Sequence, residues 1–210
     1  MTEHQTMNTI IHAAVRRDLH RFDQALEQFP TDSRSRAEQL KTAWENLSTQ
    51  LHHHHADEET IFWPAMRSLG ADDGLLAGLE AEHAQMLGAL DSADEAMKRL
   101  AADPSADQVT AARTALGHLE GVVDDHLTHE ERDLEPLMAA QTQTPQIKAA
   151  VKAVRKAHKG NGGTFFAWLL DGATADDVRG LRREVPPPVI FMVSRIGGRH
   201  YTRDVASVWG

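Results

Sequence analysis

Imidazoles and carboxylates recur in this sequence at spacings that a single helix face would bring together. His54 precedes Glu58 by four residues and His126 precedes Glu130 by four, so each pair lies on one side of a helix, one turn apart. Around the first pair the apolar series runs Trp44, Leu47, Leu51, His54, Glu58, Ile61; around the second it runs Leu116, Leu119, Val123, His126, Glu130 and then Leu137. In both, a polar pair stands where the core periodicity asks for apolar side chains. His83 falls in the same way between Leu79 and Met86, and His12 falls in series with Val15 and Leu19.

These positions form a repeat. His12 to His54 spans 42 residues and His83 to His126 spans 43. The two continuations are alike: His54-His55-Ala56-Asp57-Glu58-Glu59 and His126-Leu127-Thr128-His129-Glu130-Glu131, with Pro64 and Pro136 each six residues after the first Glu. Two copies of a helical hairpin would bring four His and two Glu to one level of a bundle interior. Carboxylates buried there are costly unless something cationic neutralises them. No Lys or Arg shares the stripes at that level, so either the imidazoles are protonated or metal ions are present. Neutral imidazole beside carboxylate is a donor set for transition-metal ions. Six donors suit two ions, two His on each with both Glu bridging. The alternative is a hydrogen-bonded polar layer without metal, which is hard to satisfy at this size.

The remaining histidines have plainer expectations. His20 points roughly 100° away from Leu19. It also lies too near the loop: His12 stands 18 residues before Pro30 and His54 stands 21 after Ser33, matched distances for antiparallel helices. His12 is therefore the choice in the first helix, and His20 is expected in solvent. His52, His53 and His55 point around the helix from His54 and are expected at the surface or behind the donors, with His55 and Glu59 as the fallback register. His118, His129, His158 and His200 are expected at the surface. Asp57, Asp125 and Glu82 adjoin donors in sequence and are candidates for orienting an imidazole.

The elements that must position these groups are helices. Pro30, Gly70, Pro104 and Pro145 punctuate the chain. Between them run amphipathic stripes: Val15, Leu19, Phe22, Leu26, Phe29 in the first segment, Leu76, Leu79, Met86, Leu90, Met97 in the third. Asp32 or Ser33 can cap the second helix and Ser105 the fourth. The expected fold is all-α: an antiparallel up-down four-helix bundle over residues 1–143, followed by an accessory extension over 144–210. The extension reads as a helix from Gln146 to His158, a flexible turn at Gly160-Asn161-Gly162-Gly163, a small helix from Thr174 and an apolar stretch from Val189 to Trp209. Its basic stripe, Lys148, Lys152, Arg155 and Lys159, is expected in solvent, and its short helices are expected to pack on the bundle and cover one end.

Composition narrows the classes. A formal charge of −9 argues against a nucleic-acid binder that works by neutralising phosphates. The absence of cysteine removes disulfides, thiolate-bound metals and thiol nucleophiles. No apolar run approaches the ~20 residues of a membrane span, and Met1 to Asn8 lack the apolar stretch of a signal peptide. The chain is thus expected to be cytoplasmic, a monomer or homodimer, without nucleic-acid or membrane partners.

Taken together, the residues resemble the hemerythrin-like, HHE cation-binding family over roughly residues 8 to 140: His12, the pair His54 and Glu58, His83, and the pair His126 and Glu130. Arg16-Arg17-Asp18-Leu19 after His12, and Glu58-Glu59 followed by Phe62-Trp63-Pro64, are similar to actinobacterial members. The resemblance implies a hemerythrin-like bundle holding two iron ions in an oxo- or hydroxo-bridged non-haem centre that binds or reduces O2, NO or peroxide. Oxygen-carrying hemerythrins have a second His four residues after the third-helix ligand, where this chain has Leu87, and an Asp at the position of Glu131. The set here is closer to that of repair-of-iron-centres proteins, without their cysteine-containing segment. It implies oxygen or iron sensing, or a response to oxidative or nitrosative stress, rather than oxygen carriage. The alternatives are a peroxidase, catalase-like or NO-reducing enzyme, and a structural bundle holding zinc or manganese. For an enzyme, Leu51, Met86 and Leu87 would keep the pocket dry, and Tyr201 could act as a redox relay only if the tail folds over the site.

Overall fold

Helix ends in this chain are set by short polar side chains. In α1 (Met7–Glu27) Thr6 and Thr9 cap one another reciprocally, each hydroxyl accepting the other's backbone N–H. α2 (Arg34–Asp57) starts at Ser33, whose hydroxyl accepts from the Arg36 N–H. α4 (Asp73–Ala102) starts at Asp72, whose carboxylate accepts from the Leu75 N–H at 2.8 Å. These features come from a computed structural model, which describes residues 5–209; Met1–His4, within the polar N-terminal stretch, and Gly210 lie outside the described residues.

Two of the long helices carry an irregularity where the chemistry sits. α2 does not stop at Asp57 but passes through a π-helical turn, Glu58–Phe62, into α3 (Trp63–Ser68), which has Pro64 in its first turn. A π turn inserts an extra residue and rotates the helix beyond it, a device found often at functional sites. α5 (Ala106–Asp133) breaks at Leu134 before α6 (Glu135–Gln141), where Pro136 brings no N–H to a continuing helix. That break shifts the register, so Leu137, expected on the core stripe, is 44% exposed.

The four long helices pack in the expected up-down ring. α4 lies against α2 and α5, α5 lies against α1, and α1 and α2 meet only sparingly. The core between them is continuous, with Phe22, Leu40, Leu47, Leu90, Leu100 and Leu119 all fully buried or nearly so. Among the described residues no helix is long and apolar enough to cross a membrane.

The extension corrects one expectation, because most of it lies along a side of the bundle rather than over an end. α8 (Gly162–Leu170) and α9 (Ala175–Glu184) pack on α1. α10 (Pro187–Met192) and a second π turn, Val193–Gly197, lead to α11 (Arg199–Asp204) and a 3-10 turn, Ala206–Trp209, which pack on α2. They fill the side where α1 and α2 part. The Trp168 indole N–H donates to the buried carboxylate of Asp18 on α1 at 2.7 Å, and Trp209 meets Phe22 edge to face at 5.0 Å. Only α7 (Pro145–Ala157) goes elsewhere, packing on α3 and the first π turn.

Candidate metal centre

The two hairpins deliver their histidines to one buried layer. The Nε2 atoms of His12 and His54 face each other at 3.1 Å, and those of His83 and His126 also at 3.1 Å. The pairs that stand 42 and 43 residues apart in sequence are thus the pairs that meet. Glu58 reaches both: its Oε1 lies 3.2 Å from His54 Nε2 and its Oε2 lies 3.5 Å from His83 Nε2. Glu130 approaches through Oε2, 3.2 Å from His12 Nε2 and 4.0 Å from His126 Nε2. All six predicted donors are buried.

A seventh joins them. His55, expected at the surface or behind the donors, is 6% exposed and lies against His83, the two rings tilted at 34° with centroids 4.3 Å apart. The donor atoms fall into two groups, His55, Glu58, His83 and His126 in one, His12, His54, Glu58 and Glu130 in the other, each within 4.8 Å of one another. The signal for His55 was present in the sequence. α2 buries neighbouring pairs, Ala43 with Trp44 and Leu47 with Ser48, so its core face is an arc two residues wide and His54 with His55 continues it. A stripe one residue wide is too narrow for a helix packed between two neighbours.

Carboxylates behind the layer hold the imidazoles in place. His12 Nδ1–H donates to Glu131 at 2.8 Å, His83 Nδ1–H to Glu59 at 2.8 Å, and His126 Nδ1–H to Glu82 at 3.0 Å. Because a carboxylate only accepts, the hydrogen sits on Nδ1 and Nε2 is aimed inward. Glu82, expected in such a role, fills it. Asp57 instead meets His158 at 2.8 Å, and Asp125 is exposed. Glu59 and Glu131 were missed in this role, although the repeated Glu-Glu dyads mark them: in each half the first Glu enters the layer and the second reaches across to the other half's imidazole. Arg16 fixes Glu131 from outside at 2.7 Å.

Burial drives the protonation of the layer. Burial first, and then neighbouring imidazoles, push His54 and His55 well below the ordinary histidine value and His83 down to about 3. His12 is burdened by the same burial, but Glu130 and Glu131 overcome it and raise it to about 9. Burial and the neighbouring Glu130 raise Glu58 well above the carboxylate range; for Glu130 burial acts upward too, but His12 prevails and holds it down. Protons settle these charges only in part. Both oxygens of Glu58, Oε2 of Glu130 and Nε2 of His55 are buried without a hydrogen-bond partner among the described residues. Four inward-facing lone-pair atoms with no donor are what a cation satisfies, and nitrogen and oxygen donors of this kind fit a transition metal.

Other residues lie apart from the layer. His20 is exposed and meets Gln24. Leu87 is 45% exposed and does not shield the site, whereas Leu51 and Met86 are buried. Tyr201 is buried, but its hydroxyl donates to Asp171 in the extension at 2.9 Å.

The profile of the hemerythrin HHE cation-binding domain matches residues 9–138. Comparison with curated proteins and with solved structures gives no match. The matched span takes in all of the four long helices but the first two residues of α1, and every residue of the His and Glu layer, so the chain belongs to the hemerythrin HHE cation-binding family.

Proposed function

We propose that the layer holds two metal ions, iron in the native protein, and that the protein binds a small oxidant there (O2, NO or peroxide) as a sensor or in the response to oxidative or nitrosative stress. The observation that carries this reading is the division of seven buried donors into two groups that share Glu58. His12, His54 and Glu130 would hold one ion and His55, His83 and His126 the other, with Glu58 common to both. Two iron ions so held would supply redox change and Lewis acidity to a bound diatomic or peroxide.

The chain's own residues set the conditions for that chemistry. Glu131, Glu59 and Glu82 keep three imidazoles oriented, so the donors need no rearrangement. Leu51 and Met86 bring apolar walls to the layer's surroundings. His55 also supplies from α2 the additional imidazole that Leu87 does not supply from α4.

Reconstitution with ferrous iron without oxygen, followed by titration with O2, NO and hydrogen peroxide, tests the reading. The expected result is an absorption change that saturates at one oxidant per two irons. An iron-loaded protein that responds to none of the three would overturn it. Consumption of peroxide over many turnovers would replace the sensing role with the enzymatic one.

A further inference from the structure

Two stretches contain no acidic residue, Pro136 to Leu170 and Val185 to Arg203, in a chain that carries 31 Asp and Glu. The first holds α7. Its Ile147 and Ala150 are buried, while Lys148, Lys152, Arg155 and Lys156, with Lys159 just beyond the helix, are exposed. The second holds α10 and the second π turn, where Phe191 and Ile196 are each 64% exposed and Met192 56%. Large apolar side chains grouped in solvent mark a contact surface. The Arg195 guanidinium lies over the Phe191 ring, 5.6 Å from its centroid, and Arg199 is exposed close by in sequence. The two stretches meet where α8 packs on the second π turn: Gly163 and Gly197 touch so closely that a Cβ on either would collide with the other's backbone. Ile196 adjoins one of these glycines and Lys159 stands four residues before the other. The apolar side chains therefore lie beside the turn that brings in Lys156 and Lys159.

We propose that this face docks on an anionic membrane surface, with Phe191, Met192 and Ile196 entering the boundary between headgroups and acyl chains and the neighbouring cations meeting acidic headgroups. Charge selects the occupant. A second copy docked face to face would set cations against cations, with no acid in either stretch to relieve them. Anionic lipid answers both features, offering negative charge at its surface and an apolar layer beneath. Residues 1–144 hold the chain's excess of acid, so such a surface repels the bundle and turns the extension toward itself. The three apolar side chains stand out from the fold, as insertion requires. The expectation of no membrane partner rested on the lack of a spanning segment, and docking on a surface needs none. The inference is independent of the two-ion reading.

The test is co-sedimentation of the full chain, loaded with zinc, which is redox-silent, and dialysed, with vesicles of phosphatidylcholine alone or with one third phosphatidylserine. Wild-type protein should bind the phosphatidylserine vesicles about tenfold or more tightly than the neutral ones, and less tightly as salt is raised. Phe191→Ser and Ile196→Ser should each weaken that binding about tenfold. Lys156→Gln and Lys159→Gln should weaken it about fivefold each, and Lys98→Gln, on α4, should leave it unchanged. All five positions are exposed, so none of these variants disturbs the core. No sedimentation with phosphatidylserine vesicles, equal binding to both kinds, or binding indifferent to Phe191 and Ile196 would overturn the proposal. Binding to poly-glutamate with the same dependence on Phe191 and Ile196, and not to vesicles, would assign the face to an acidic protein and overturn it as well.

Discussion

His55 shows how much a single helix step decides. It stands one residue from an expected donor and enters the layer because α2, packed on α4 and flanked by α1 and the extension, buries an arc rather than a line. If it donates, His55→Leu should lower zinc content from two ions per chain to one, His54→Ala or Glu58→Ala should lower it further, and His20→Ala should leave it unchanged, all read by elemental analysis after dialysis. Glu135 makes a prediction in pH. Burial raises its carboxyl above the usual range, against hydrogen bonds from Thr6 and Asn8. A carboxyl whose pKa is higher folded than unfolded is favoured by the fold in its protonated form. Its effect on stability is therefore neutral below the unfolded value, declines as pH rises through the folded value, and is level above it. Glu135→Gln should accordingly raise the melting temperature of zinc-free protein at neutral pH and not in acid; an equal gain at both would contradict this account. At this scale faults in the core pattern singled out six His and Glu side chains, and the fold brings all six to one buried layer. The repeated dyads marked Glu59 and Glu131, but their role, like the position of Asn8, depends on contacts across the bundle with residues more than twenty or a hundred positions away.

The helices show why the bundle was legible and its local irregularities were not. Long stripes at helical period define four elements whatever the details of their ends. The π turn at Glu58–Phe62 and the break at Leu134 leave no such mark, since each is a shift of a single residue within a continuing apolar pattern. The extension was harder still, because its helices are short and owe their packing to close contacts rather than to periodicity. α8 crosses the second π turn at Gly163, where a Cβ would collide with the backbone of Gly197. Gly163→Ala should destabilise the protein by about 1–3 kcal/mol, the usual range for overpacking, measured by urea unfolding, with zinc content unaffected. Loss of zinc in that variant would mean that the packing of α8 on the second π turn shapes the donor layer.

Across the whole molecule, charge and packing follow different divisions. The extension from Pro145 carries eleven Lys or Arg against five Asp or Glu, in a chain whose overall formal charge is −9. Even so, its Trp168, Leu181, Tyr201 and Val208 belong to the same core as Phe22 and Trp44 of the bundle. We propose that residues 144–210 are an accessory element in function but one cooperative unit with the bundle in stability. Far-ultraviolet dichroism and tryptophan fluorescence should then report one coincident thermal transition, and Trp168→Ala should cost about 3–5 kcal/mol, as for other buried aromatic truncations. Two resolved transitions would contradict that unity. Metal should move the single transition upward, because an ion that binds the folded layer and not the unfolded chain stabilises by mass action.

The central claim is that seven buried donors hold two ions, and counting metal in the purified, untagged protein tests it most directly. The account predicts about two irons per chain, or two ions after anaerobic reconstitution with ferrous iron. A protein that holds no metal as purified and takes up none on reconstitution would mean that the His and Glu layer is sustained by protons alone, and would contradict the account.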